Sequence, residues 1–85
     1  MTFNGDAVTL DLLQNGDEAS IASIGGEGPF RRRLLELGLV PGTHVQRIGQ
    51  APFGDPLTFR VRRAVLCLRR AEAALVNLVA PPNAA

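Results

Sequence analysis

Leu37-Gly38-Leu39-Val40-Pro41-Gly42, Ala51-Pro52-Phe53-Gly54-Asp55-Pro56 and Leu68-Arg69-Arg70-Ala71-Glu72-Ala73 are three turn signals that punctuate short apolar runs over residues 37–73. Gly38 can take the left-handed conformation that closes a helix, with Leu39 folding back on the last turn. Pro41 and Gly42 are the residues a type II turn prefers at its two central positions. Pro52 and Pro56 fix φ and hold the residues before them extended, so residues 51–56 read as a stiff hairpin loop. Beyond that loop Leu57, Phe59 and Val61 alternate with Thr58, Arg60 and Arg62, the period of a strand with one buried and one wet face. None of the three turns carries a nucleophile, a metal cluster or a phosphate cradle. The segment that decides the fold therefore specifies a surface and not an active site.

Upstream of this stretch, Val8-Thr9-Leu10 with Leu12-Leu13 reads as a first apolar element, and Asn15-Gly16-Asp17 as a turn. Residues 18–24 read as a strand with Ala19, Ile21 and Ser23 on one face. Gly25-Gly26-Glu27-Gly28 breaks the chain, and Pro29 sits where a helix takes its first residue. Phe30, Leu34 and Leu37 then recur at i, i+4 and i+7 beside Leu35, which predicts a short helix burying that stripe and leaving Arg31, Arg32, Arg33 and Glu36 in water. Residues 43–48 read as a strand with Val45 inward, and Val65-Leu66-Cys67-Leu68 as another. Residues 69–74 predict a single helical turn, and residues 75–79 a last strand stopped by Pro81-Pro82. Five or so short strands with one inserted helix predict a small β-barrel, whose closure removes exposed edges.

Eighty-five residues make one small domain with no room for a deep substrate cleft. The 46% apolar fraction is spread along the whole chain, as in a folded domain. The lone Cys67 excludes an internal disulfide framework and fits a reducing compartment. The N-terminus lacks the basic and apolar regions of a signal peptide, and no window is apolar enough to span a membrane, so a cytoplasmic location is expected. The net charge of +1 conceals a partition. All nine arginines lie within residues 31–70 against only Glu36 and Asp55, leaving that segment at +7, while Asp6, Asp11, Asp17, Glu18 and Glu27 make the first third acidic.

The three turn motifs, in this order and spacing, resemble the FeoA family, and the resemblance covers roughly residues 9–79. It implies a mostly β fold: a small SH3-like β-barrel with one short inserted α-helix and a single helical turn before the last strand. It further implies a cytoplasmic, non-enzymatic accessory role in bacterial ferrous iron uptake, the partner being the membrane transporter FeoB with its GTP-binding domain. The same domain type occurs at the C-terminus of metal-responsive repressors, so a regulatory or weakly nucleic-acid-associated module is the alternative. Two residues depart from the family pattern: Arg47 stands at a usually apolar strand position, and Arg63 where glycine is common. The register near both is left open.

His44 and Cys67 are the only soft ligands, too few for a transition-metal site, and they read as a solvent-facing histidine and a small buried thiol. No pairing of nucleophile and base at useful spacing exists, so no catalytic residue is assigned. Gly25-Gly26-Glu27-Gly28 is followed by no Gly-Lys-Ser/Thr, and the chain has no lysine to reach a phosphate. No cofactor is expected. The candidate residues are those of a partner surface. Arg31, with Arg32 and Arg33, lies near a helix N-terminus, where the dipole disfavours cations. Arg60 and Arg62 project from a wet strand face, with Arg69 near the neighbouring strand, as one basic patch. Arginine suits carboxylate partners, whereas single-stranded nucleic acid needs stacking aromatics, which this chain lacks beyond four Phe, so no nucleic acid is expected. Phe53, between two prolines, reads either as an anchor at a loop tip or as a plug over the barrel's open end.

Overall fold

The alternating run at residues 57–61 forms a strand whose inward side chains, Leu57, Phe59 and Val61, are 0–3% exposed. In the computed structural model, which describes residues 8–79, it is the fourth of six strands. These are β1 (Val8–Thr9), β2 (Glu18–Ile24), β3 (His44–Gln50), β4 (Leu57–Val61), β5 (Ala64–Leu68) and β6 (Val76–Val79). Helix α1 (Gly28–Glu36) joins β2 to β3, and α2 (Arg70–Ala73) joins β5 to β6. The strands form one antiparallel sheet in the order β1-β6-β2-β3-β4-β5. The expected stop at Pro81-Pro82 and the reading of the N-terminus lie outside the described residues.

The mostly β reading holds, but the sheet is not closed into a barrel. Strand β1 has two residues, and the chain turns at once into a 3₁₀ turn, Leu10–Leu12, so the first apolar element is split. Leu10 and Leu13 point into the core while Leu12 stays exposed. Strands β1 and β5 remain as edges among the described residues. Register shifts between Ile21 and Ser23 on β2, and between Arg47 and Gly49 on β3, bend the sheet towards a barrel. The first shift also corrects the face of β2: Ala19, Ile21 and Ile24 are buried and Ser23 is exposed, because the extra residue resets the alternation.

Helix α1 starts with Pro29 in its first turn and ends as its glycine requires. Gly38 has φ 98°, its N–H donates to the Leu35 carbonyl at 3.0 Å, and the Leu39 N–H donates to the Leu34 carbonyl at 3.2 Å. This is the double bond pattern of a Schellman motif, with Leu39 fully buried against the helix. The buried stripe is narrower than expected. Leu34 is enclosed and Leu35 and Leu37 half-buried, but Phe30 is 44% exposed. The Pro41-Gly42 turn then closes with Gly42 at φ 89° and a Thr43 N–H to Val40 carbonyl bond of 3.0 Å.

Of the two arginines that depart from the family pattern, Arg47 has a structural explanation and Arg63 has none. Arg47 pairs with Phe59 across β3 and β4 and is buried, and its guanidinium bonds the Leu13 carbonyl and the Gln50 side chain. It carries a polar link from the sheet to the end of the 3₁₀ turn where an apolar residue would only pack. Arg62 and Arg63 form the two-residue turn of the β4–β5 hairpin, and Arg62 has φ 57°. A non-glycine residue there costs about 1 kcal/mol. Strand β5 alternates with the period of any strand: Leu66 and Leu68 face the core, Val65 and Cys67 face outward. Cys67 is thus exposed, which corrects its reading as a buried thiol.

Two substitutions separate the core from the helix stop. Phe59→Ala removes the largest fully buried side chain and should lose about 3 to 5 kcal/mol in denaturant unfolding. Gly38→Ala meets no atom within 4 Å, so it should lose only the left-handed strain, about 1 kcal/mol.

Candidate functional site

Residues 51–56 connect β3 to β4 and are held from inside and outside. The Ala51 N–H donates to the Pro56 carbonyl at 2.9 Å and the Gly54 N–H to the Ala51 carbonyl at 2.8 Å. Gly54 supplies the turn with φ 84°. From outside, the Asp55 carboxylate accepts the Arg70 N–H at 3.0 Å, and the Arg70 Nε–H donates to the Gly54 carbonyl at 2.8 Å. The second and third turn motifs are therefore one structure: the start of α2 grips the loop. Phe53 stands at its tip, 98% exposed. Of the two expectations for this side chain, the structure shows the exposed one.

Beside the loop lies an open groove of about 450 Å³ lined by Phe30, Arg33, Pro56, Cys67, Arg69 and Ala71 above Glu72. Glu72 is 6% exposed and organises it. Its carboxylate accepts the Arg69 N–H at 2.9 Å and pairs with the Arg33 guanidinium, tying α1 to α2. Arg33 is thus not merely solvated. Arg31, a candidate for partner contact, instead donates from Nε to the Ile24 carbonyl at 3.2 Å, securing the helix to the end of β2.

Arg60 and Arg62 lie elsewhere. Arg60 pairs with Gln46 and Val65 near the Val61 end of β4, whereas Arg69 follows Leu68, the partner of Leu57 at the other end. Three strand steps separate Leu57 from Arg60, about 10 Å at 3.3 Å each. The single basic patch expected from sequence is therefore two surfaces: Arg69 in the groove near Phe53, and Arg60 with Arg62 at the opposite end of the hairpin. There they line an open depression of about 540 Å³ together with Glu18, Pro41, Gly42, Thr43, His44 and Gln46. His44 is exposed and its Nε2 lies 3.0 Å from Glu18 Oε1. Asp55 and Glu72 were not legible as site residues. The one available signal was Glu72, three residues after Arg69, the spacing at which a glutamate reaches back to a helix's N-cap N–H.

Among the described residues no group of three or more His, Cys, Asp or Glu is gathered, and no helix is long and apolar enough to cross a membrane. The sequence profile of the FeoA domain matches residues 8–79. The chain belongs to the FeoA family. Over 69 residues it is 38% identical to the Fe(2+) transport protein A/Fe(2+) transporter FeoB fusion protein of Porphyromonas gingivalis, covering 81% of this chain and 8% of that much longer one. This FeoA domain also superposes on the zinc complex of FeoA from Stenotrophomonas maltophilia, a prokaryotic SH3 domain protein, with a TM-score of 0.76 and 32% identity over 86% of this chain and 91% of that one. A manganese-dependent transcriptional repressor shares the fold at a TM-score of 0.77 and 18% identity, over 88% of this chain and 42% of the repressor. The fold is therefore that of SH3-like FeoA domains, a family of small accessory domains linked to ferrous iron transport.

The grip of α2 on the loop is open to test. Asp55→Ala removes the acceptor of the Arg70 N–H, and amide hydrogen exchange at residues 53, 54 and 70 should accelerate while core strands are unchanged. Glu72→Ala leaves the Arg69 N–H and Arg33 without their shared partner, and should cost about 1 to 3 kcal/mol in chemical unfolding.

Proposed function

We propose that this chain is a non-enzymatic cytosolic accessory domain that docks by protein–protein contact on the cytosolic part of a FeoB-type ferrous iron transporter. The observation that carries this reading is Phe53, 98% exposed on a loop bonded at Ala51, Gly54 and Asp55. A large apolar side chain on a stiff loop loses little entropy when it enters a partner's pocket, which is the character of an interface anchor. The groove beside it offers the complement: Phe30, Pro56 and Ala71 as apolar contacts, with Arg69 at the rim. An FeoA segment joined to FeoB in one chain, as in the Porphyromonas gingivalis protein, supports the same partner, because fusion keeps two interacting modules at high effective concentration.

Titration of the isotope-labelled protein with the transporter's soluble GTP-binding domain and cytosolic loops, read by NMR, tests the docking site. Shifts should centre on residues 51–56, Phe30 and Arg69. Silence there at millimolar partner overturns the assignment. Phe53→Ala should weaken binding roughly 30-fold, the loss of a 2 kcal/mol anchor, with the unfolding midpoint essentially unmoved because the side chain is exposed.

A further inference from the structure

The Arg60 and Arg62 surface lies at the end of the β3–β4–β5 unit opposite Phe53, and no side-chain hydrogen bond or ion pair among the described residues employs either guanidinium. Neither guanidinium has an acidic partner among the described residues: the ion pairs present join Arg33 to Glu72 and His44 to Glu18. Arg62 is there at a cost. Its φ of 57° is the left-handed region, where glycine is unstrained and arginine is not. Local stability did not select an arginine at this turn position. A strained residue beside a depression is a reason to look for function there.

The shape narrows the ligand. The depression is open, about 540 Å³, walled by the Pro41-Gly42 turn and the Arg62 turn and floored by Gln46 and Thr43. Thr43 is 6% exposed, and its hydroxyl has no hydrogen-bond partner among the described residues. A site this open cannot bury most of a small molecule's surface, as small-ligand pockets do, but it can take an extended chain laid across it. Glu18, the one carboxylate at the rim, is already beside His44, which leaves two arginine forks directed at whatever lies between the turns. Carboxylates match that fork geometry. No Phe, Trp or Tyr lines the depression, and its one imidazole, His44, lies beside the Glu18 carboxylate, so this face lacks the run of stacking aromatics that single-stranded nucleic acid uses.

We infer that the depression between the Pro41-Gly42 turn and the β4–β5 hairpin is a second docking site, one that binds an acidic polypeptide segment through Arg60 and Arg62. It rests on the reading of the chain as a docking domain, but uses a surface distinct from Phe53. The binding is charge-driven and exposed, so it should weaken as salt rises.

The test is an NMR titration with a synthetic peptide rich in glutamate, its glutamine counterpart, and single- and double-stranded DNA oligonucleotides. The glutamate peptide should shift residues 42–46 and 60–63, and the glutamine peptide should not. Arg60→Gln and Arg62→Gly should each weaken binding by up to about fivefold. Arg62→Gly relieves the left-handed strain, so it should lose binding while keeping or raising the unfolding midpoint, which separates the effect from misfolding. Phe53→Ala should leave peptide binding unchanged. If that variant loses the transporter domain but keeps the peptide, the two sites are independent. Equal shifts from the glutamine peptide, shifts confined to Arg31–Arg33 or Arg69, or tighter binding of the oligonucleotides at the same residues would each overturn the inference.

Discussion

Every other feature of this domain depends on one face of β4. Leu57, Phe59 and Val61 are enclosed from both flanking strands and from below, where Leu10, Leu34, Leu39 and Val76 meet them in one cluster. A chain of 85 residues has little apolar area to spare. Strand β4 must therefore commit one face wholly to the core, and the outward face is left for arginine and threonine. Because side chains alternate with period two, burying Phe59 places Arg60 in water without further instruction.

From that strand the two ends of the hairpin acquire different characters. At the Leu57 end the chain turns through two prolines and is gripped by Arg70, which makes a rigid mount for Phe53. At the Val61 end it turns in two residues, one of them in a strained conformation, and presents cations. Rigidity at one end and charge at the other are opposite ways of preparing a surface for a partner: the first lowers the entropy lost on ordering, the second raises the encounter rate.

Most of the fold was legible from local signals. Gly38, the Pro41-Gly42 pair, the prolines at 52 and 56 and the alternation at 57–61 each act over a few residues, and the structure places each as read. Errors arose where a residue's environment is set at long range. Cys67 reads as core because its neighbours are apolar, but β5 is an edge and only alternate residues face inward. Ser23 and Phe30 misled too: the first is displaced by a bulge, and the second lies exposed on the first turn of α1. That β1 and β5 stay unpaired with each other among the described residues, in a roughly barrel-like SH3 fold, is set by long-range strand order, which no composition rule announces.

What the sequence determined by itself is the set of short-range commitments: the turns, the helix stop, the strand period, the family and the excess of arginine in the middle of the chain. Only the tertiary structure decided which arginines are free to meet a partner. Arg47 is spent on the Leu13 carbonyl, Arg33 on Glu72 and Arg70 on the Phe53 loop, while Arg31 gives only its Nε–H to the Ile24 carbonyl. The reason is that a guanidinium's partner is fixed by where distant chain segments cross. Arg33 and Glu72 lie 39 residues apart, and charge alone cannot distinguish them from Arg60 and Arg62.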